Sequence, residues 1–415
     1  MSSAGNRVRP VEEHQEAVRA LLARSLQPGV QARGLLGAAG RILAEDMSAP
    51  RSLPPFTNSQ MDGYAVHSAD LAAAPSGSFV ELGVAAPIPA GAQAPPLAAG
   101  TAAPIMTGAM LPDGADAVVP IERSQPDTFY APEDREGARV GLPAGVPAGQ
   151  FVRAAGSDIA AGTLALAKGT RLGPAQLGLL AALGIAEVPV PAPVRVALLS
   201  TGDEVVEPGR ELAPGQIHDA NTTLLAASLA EAGAEVIRTR ILADSPEDFR
   251  TGLRDELAQG GADLVVTSGG ISKGAYEVVR LALAAEGVEF FSVAMQPGGP
   301  QGLGTVDGVP LLGFPGNPVS ALVSFEVFLR PALTELTGLP LPRRTLRAVL
   351  ADAAESPAGK LQVRRGRFED GSVELIGGPG SHLVHALAGS NALVLIPAGT
   401  GHLPQGAEVT VWLLE

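Results

Sequence analysis

The spacing of apolar residues along this chain changes character from one segment to the next, and each change implies a different kind of structure. From Pro10 to Leu26, Val11, Ala17, Val18, Leu21 and Leu22 recur at roughly helical spacing, with Glu12 and Glu13 in the first turn. That pattern predicts an amphipathic helix. A proline-rich passage opens at Ala49. From there to about residue 150 the apolar runs are short, as in Phe79 to Val84, Gly100 to Met106 and Ala117 to Ile121, and Gly and Pro break them. A small β domain is expected there. A turn-rich connection from Phe151 to Gly169 leads to a short helix over Gly173 to Leu183. The proline-punctuated stretch Val188 to Pro193 is the clearest domain boundary.

Beyond this linker, strand-like and helix-like segments alternate: Val194 to Leu199, Asn221 to Ala232, Glu235 to Leu242, Pro246 to Gln259, Ala262 to Val266 and Tyr276 to Glu286. That order predicts a parallel sheet with helices on both faces. Ligands of such sheets bind beyond the carboxyl ends of the strands. Ser200-Thr-Gly-Asp-Glu204, Thr267-Ser-Gly-Gly-Ile-Ser-Lys-Gly274 and Gly313-Phe-Pro-Gly-Asn-Pro-Val-Ser320 all fall there, the last leading into a helix opened by Pro318. Glycine loops let an anion approach backbone N–H groups closely, so these turns should converge on one crevice. From about Pro340 to Glu415 the runs Leu346 to Leu350, Leu361 to Phe368, Ala392 to Ile396 and Glu408 to Leu413 predict a separate small β barrel or sandwich. The fold class expected is multidomain, α/β plus β.

Composition narrows the chemistry. The 415 residues suffice for two to four domains, and 46% hydrophobic content supports well-buried cores. A formal charge of −14 argues against a nucleic-acid partner, which would require a basic stripe. The chain contains no cysteine, which removes thiolate metal sites and cysteine nucleophiles together. Lysine occurs only at Lys168, Lys273 and Lys360, and the six histidines show no ligand spacing. Without a signal-like or membrane-length apolar run, the expectation is a cytoplasmic protein with no membrane partner.

Five strings, in order, carry a family resemblance: Asn58-Ser-Gln-Met-Asp-Gly-Tyr-Ala-Val66; Ile105-Met-Thr-Gly108 with Gly114-Ala-Asp-Ala-Val-Val119; and the three turns beginning at Ser200, Thr267 and Gly313. From about residue 10 onward the chain resembles the molybdopterin molybdenumtransferases, MoeA and the E domain of gephyrin. The resemblance implies an enzyme that takes adenylylated molybdopterin and molybdate, releases AMP and requires Mg²⁺. A molybdopterin-binding paralogue or scaffold with weak metal insertion is the alternative. The implied organisation is an elongated homodimer. In each subunit, residues 1–50 with 150–190 would form a discontinuous dimerisation domain and 51–149 a small β domain. Residues 191–336 would form a MogA-like α/β domain, and 337–415 the β barrel. Molybdopterin adenylyltransferase and molybdoenzyme apoproteins are implied partners.

By matching position, Asp203, Glu204, Asp219 and Glu277 fall at acidic family sites that hold metal or serve catalysis. Asp62, Thr107 and Asp158 would approach from the partner subunit. Ser268, Gly269, Gly270, Ser272, Lys273, Pro297, Gly298, Pro315, Gly316, Asn317, Ser320, Arg365 and Ser381 would contact the substrate. Residue chemistry allows plainer roles for some of these: Asp203 and Asp62 in turns, Asp219 and Asn317 as helix caps. Two departures from the family matter. Where it carries Lys-Pro-Gly-Lys-Pro, this chain has Gln296-Pro-Gly-Gly-Pro300, and Gly274-Ala-Tyr-Glu277 stands for Gly-Asp-Tyr-Asp. The missing cationic charge points to Lys273, Arg280, or Arg365 with Ser381 as replacements at the oxyanion.

Overall fold

The computed structural model describes residues 8–75, 77–271, 278–284 and 286–414. It divides into two compact units: residues up to Gln31 with those from Pro191 onward, and Ala32–Val190.

The first unit is built on a seven-stranded sheet in the order Val8–Arg9, Val288–Val293, Pro300–Val306, Val309–Phe314, Leu264–Ser268, Arg195–Thr201, Glu235–Leu242. The last four strands run parallel. Leu264–Ser268 is buried throughout, and Arg195–Thr201 at every position after the first, the continuous burial that a sheet covered on both faces demands. Pro300–Val306 is antiparallel to both neighbours. Its Gly302 and Gly304 interrupt the apolar pattern, so it does not announce itself as a strand. Helices Ala220–Glu231 and Pro246–Ala258 follow their strands as expected.

The predicted amino-terminal helix forms over Val11–Ser25. Its Val11, Val18 and Leu22 join Val196, Leu198, Val266 and Phe325 in one core. Residues 8–31 therefore pack with the α/β unit, although the sequence reading groups 1–50 with 150–190. The reason is the helix's apolar stripe, which finds its cover on this sheet.

The carboxyl-terminal strands settle the choice between barrel and sandwich. Leu361–Glu369, Ser372–Leu375, Thr345–Leu350, Glu408–Leu413 and Ala392–Ile396 pair in that order, and the last pairs back onto the first, closing a five-stranded barrel. Closure leaves no open edge. Two features tie the barrel to the sheet. Met295–Gln296 pairs in parallel with Leu361 and Gln362, and Glu326, 1% exposed, holds Arg343 at 2.8 Å in the segment leading into the barrel.

The second unit centres on a five-stranded sheet ordered Ala117–Pro120, Gly63–Val66, Thr101–Ile105, Phe79–Val84, Arg139–Pro143, the β domain that the short apolar runs predict. Short strand pairs, Asn58–Ser59 with Val152–Arg153 and Met47–Ser48 with Leu164–Leu166, continue it. Helix Pro174–Ala182 packs Leu180 against Leu43, Leu172 and Val188. No helix among the described residues is long and apolar enough to cross a membrane.

His14 pins the first helix. It is fully buried against Phe291 and Phe328, and its Nδ1 accepts from the Arg9 guanidinium at 3.3 Å. Burial first, and the Arg9 charge second, push its pKa down to about 3, so it stays neutral. The unfolded chain protonates this histidine near 6.5 and the folded one does not, so its contribution to stability is complete above that pH and declines as pH falls toward 3. We predict that His14→Phe flattens the pH dependence of urea unfolding across this window. An unchanged pH slope would refute the assignment.

Candidate active site

At the carboxyl ends of Arg195–Thr201, Leu264–Ser268 and Val309–Phe314 the three turns line one cleft of about 1220 Å³. The convergence expected from the sequence is present, and it rests on backbone contact. Gly269 has φ +98, and a Cβ there would lie 2.9 Å from Thr201 Oγ1. A Cβ on Gly316 would lie 3.3 Å from the Gly269 Cα. The Gly269 N–H donates to the Phe314 carbonyl at 3.0 Å. Two glycine loops thus touch main chain to main chain, which side chains at either position would oppose.

Asn221 locks this contact. Its Nδ2 donates to Ser268 Oγ at 2.8 Å and to the Gly316 carbonyl at 2.6 Å, bridging the two loops from the start of helix Ala220–Glu231. Its buried Oδ1 has no protein partner. Asn221 is the residue that the site assignment from sequence omits, and the His218-Asp-Ala-Asn221 string was the available signal. Asp219 caps the same helix, accepting from the Thr222 N–H at 3.0 Å and Thr222 Oγ1 at 2.6 Å, while Thr222 Oγ1 also meets Ser200 Oγ at 2.8 Å. It lines the cleft as well, so the capping role and the site role coincide.

The other expected residues divide. Glu204, Ser268, Gly270, Pro297, Gly298, Pro315, Asn317, Ser320 and Ser381 also line the cleft. Asn317 precedes its helix without a side-chain cap bond, against the capping alternative. Asp203 is absent from the lining; it is exposed, and its Oδ1 accepts the Asp244 N–H at 3.0 Å, bracing the turn. Arg365, expected at the oxyanion, is 2% exposed and outside the lining. Its two terminal nitrogens donate to the carbonyls of Gly378 and Gly380, in the loop that presents Ser381, while its buried Nε has no hydrogen-bond partner. Arg280 is likewise not among the lining residues. Ser272, Lys273 and Glu277 lie outside the described residues.

The cleft's charge is mostly negative. Among the described residues Glu204, Asp219 and Asp244 line it, against a single lysine, Lys360. His218 and His382 also line it, and His218 Nε2 is engaged by the Arg210 carbonyl at 2.9 Å.

In the second unit, Asp62 and Thr107 are brought together. Asp62 Oδ1 accepts the Thr107 N–H at 2.6 Å and its hydroxyl at 2.7 Å, and both residues are exposed. Those bonds, the backbone one first, hold the carboxyl below the ordinary 3.8 and keep it ionised. Asp158 is exposed, with its N–H bonded to the Leu53 carbonyl at 3.0 Å.

Glycine-loop donors and carboxylates at the carboxyl edge of a parallel sheet, with a barrel loop closing one side, define a protein that binds an anionic ligand. Comparison specifies the family. Models described as the MoeA N-terminal region (domain I and II), a probable molybdopterin binding domain and the MoeA C-terminal region (domain IV) match residues 9–184, 197–335 and 347–414. Molybdopterin molybdenumtransferase 2 of Mycobacterium tuberculosis is 44% identical over 416 residues, covering 98% of this chain and 99% of that one. The molybdopterin molybdenumtransferase of Haemophilus influenzae is 36% identical over 386 residues, covering 90% and 91%. A crystal structure of the molybdopterin biosynthesis MoeA protein from Pyrococcus horikoshii superposes with a TM-score of 0.83 at 34% identity, covering 99% of this chain and 100% of that one. The chain belongs to the molybdopterin molybdenumtransferase (MoeA) family.

Two predictions test this geometry. Gly269→Ala should cost roughly 1–3 kcal/mol through its positive φ and the clash with Thr201, and it should weaken ligand binding more than it lowers thermal stability. Equal losses in both would argue against a shaped loop. An NMR titration should place Asp62 below 3.8, and Thr107→Val should move it back toward that value. Because the folded carboxyl is the stronger acid, its contribution to stability holds above the ordinary value and is lost as pH falls through the folded one. Identical titrations in the two proteins would show that the Thr107 hydroxyl does nothing.

Proposed function

We propose that this protein inserts molybdenum into adenylylated molybdopterin and releases AMP. The observation that carries the reading is the pair of glycine loops joined through Asn221, which makes a rigid cradle of N–H donors for a phosphorylated ligand beside carboxylates. The loops bind and orient the pyrophosphate, and the surrounding walls restrict water.

The donor set suits Mg²⁺. It consists of carboxylates and hydroxyls, hard oxygen ligands, and among the described residues no three His, Cys, Asp or Glu side chains cluster as a closed metal cage would require. Mg²⁺ is commonly held by one or two carboxylates, water and substrate phosphate oxygens. Glu204 and Asp219 would hold it, and when bound it supplies charge neutralisation at the phosphoanhydride. Asp62, Thr107 and Asp158 act from a second copy of the chain in a homodimer; the ionised, exposed Asp62 pinned by Thr107 supports this role. The scaffold alternative is not favoured, since the relatives that match over most of the chain are named molybdopterin molybdenumtransferases.

The test is incubation of the protein with adenylylated molybdopterin, Mg²⁺ and molybdate, following AMP. Release should depend on molybdate, and Glu204→Gln should slow it on the order of 100-fold, as loss of a charge-stabilising group does. Mixed dimers of Asp62→Asn and Glu204→Gln subunits should regain activity that neither variant has alone. No AMP from the wild type would refute the function, and no gain on mixing would refute the shared site.

A further inference from the structure

Resting on that reading, one group in the cleft remains without a task. Among the described lining residues Lys360 is the sole lysine or arginine, set against Glu204, Asp219 and Asp244. The ligand carries phosphate and meets molybdate, both anionic, so an unbalanced acidic cleft would repel them.

Where Lys360 stands gives it meaning. It immediately precedes the barrel strand Leu361–Glu369, which pairs in parallel with Met295–Gln296 in the register Met295↔Leu361 and Gln296↔Gln362. The Leu361 N–H donates to the Ala294 carbonyl at 2.9 Å, so this pairing extends to the residues flanking Lys360. Lys360 itself stands in the turn that enters this strand, its N–H donating to the Pro357 carbonyl at 3.1 Å, and it is exposed two residues before Gln362. Gln362, 2% exposed, donates from its Nε2 to Gln296 Oε1 at 2.9 Å, and Gln296 lines the same cleft as Lys360. That bond occupies the Gln296 carbonyl oxygen and leaves its Nε2 as a donor at the cleft wall. Arg364 and Arg365 are not among the described lining residues, and their terminal nitrogens donate to the carbonyls of Gly377, Gly378 and Gly380.

We propose that Lys360, together with Gln296 Nε2, forms the subsite for a tetrahedral oxyanion, supplying from the barrel strand the positive charge that Gln296 and Gly299 on the facing segment do not carry. The oxyanion is either molybdate or a phosphate of the substrate. Both present the same geometry and charge to an ammonium group.

Calorimetric titration of the full chain separates the two, with molybdate in one arm and adenylylated molybdopterin without molybdate in the other. Lys360→Ala should weaken binding about tenfold in the arm whose ligand it holds, the size of one charge-assisted hydrogen bond. Lys360→Arg should retain affinity, and Gln296→Lys added to Lys360→Ala should restore it from the neighbouring strand. Wild-type affinity of Lys360→Ala in both arms would overturn the proposal. So would a loss that neither cationic variant repairs, since the side chain would then be acting through packing. Should the wild type release no AMP while Lys360→Ala still loses affinity and Gln296→Lys recovers it, the subsite stands and the proposed reaction falls.

Discussion

Gly316 approaches Gly269 so closely that a Cβ on Gly316 would crowd the Gly269 main chain, while one on Gly269 would strike Thr201, and this close main-chain approach positions the other groups of the cleft. Each loop follows a buried parallel strand, so the sheet fixes its origin, and the Gly269 bond to Phe314 fixes its separation from the next. Asn221 then couples both loops to a helix that Asp219 caps. Loop backbone that would otherwise fluctuate is thereby given tertiary constraints, and preorganised donors need no reordering when the ligand arrives.

Electrostatics set the second constraint. An acidic chain that takes an anionic ligand needs localised positive potential, and arginine, its commonest cation, does not provide it at this cleft. Arg365 donates from its terminal nitrogens to the carbonyls of Gly378 and Gly380, which makes it a support for the loop that presents Ser381. What remains among the described residues is dipolar and local: backbone N–H groups, helix starts at Ala220 and Pro318, and one lysine. Such a site attracts an anion only at short range, which favours shape over long-range steering.

Much of this was legible in the sequence, for identifiable reasons. Strands buried on both faces read as unbroken apolar runs, and glycine turns at their ends read as anion loops, so the cleft followed from pattern, while most of its lining residues followed from the family resemblance. Pro300–Val306 escaped because Gly302 and Gly304 carry no apolar signal. Arg365 was legible as a nearby guanidinium but not in its direction, which burial sets toward the carbonyls of Gly378 and Gly380. Asn221 was passed over because an asparagine at a helix start is ordinarily a cap; here the preceding Asp219 caps, which frees the Asn221 amide to tie the loops together. Side-chain direction, in each of these cases, is decided by packing that local pattern does not encode.

The barrel also looks different once its contacts are considered. Family boundaries separate residues 197–335 from 347–414, yet the cleft draws walls from both pieces. Lys360 and the loop through Ser381 come from the barrel, the Gln296–Gln362 amide pair stitches its first strand to the sheet segment, and Glu326 grips Arg343 on the path between them. Breaking a buried pair of that kind costs about 3–5 kcal/mol because it strands an uncompensated charge. That cost makes independent movement of the two pieces expensive, and it lets a charge lost from one strand be carried by its neighbour, since the distance between them is held by structure.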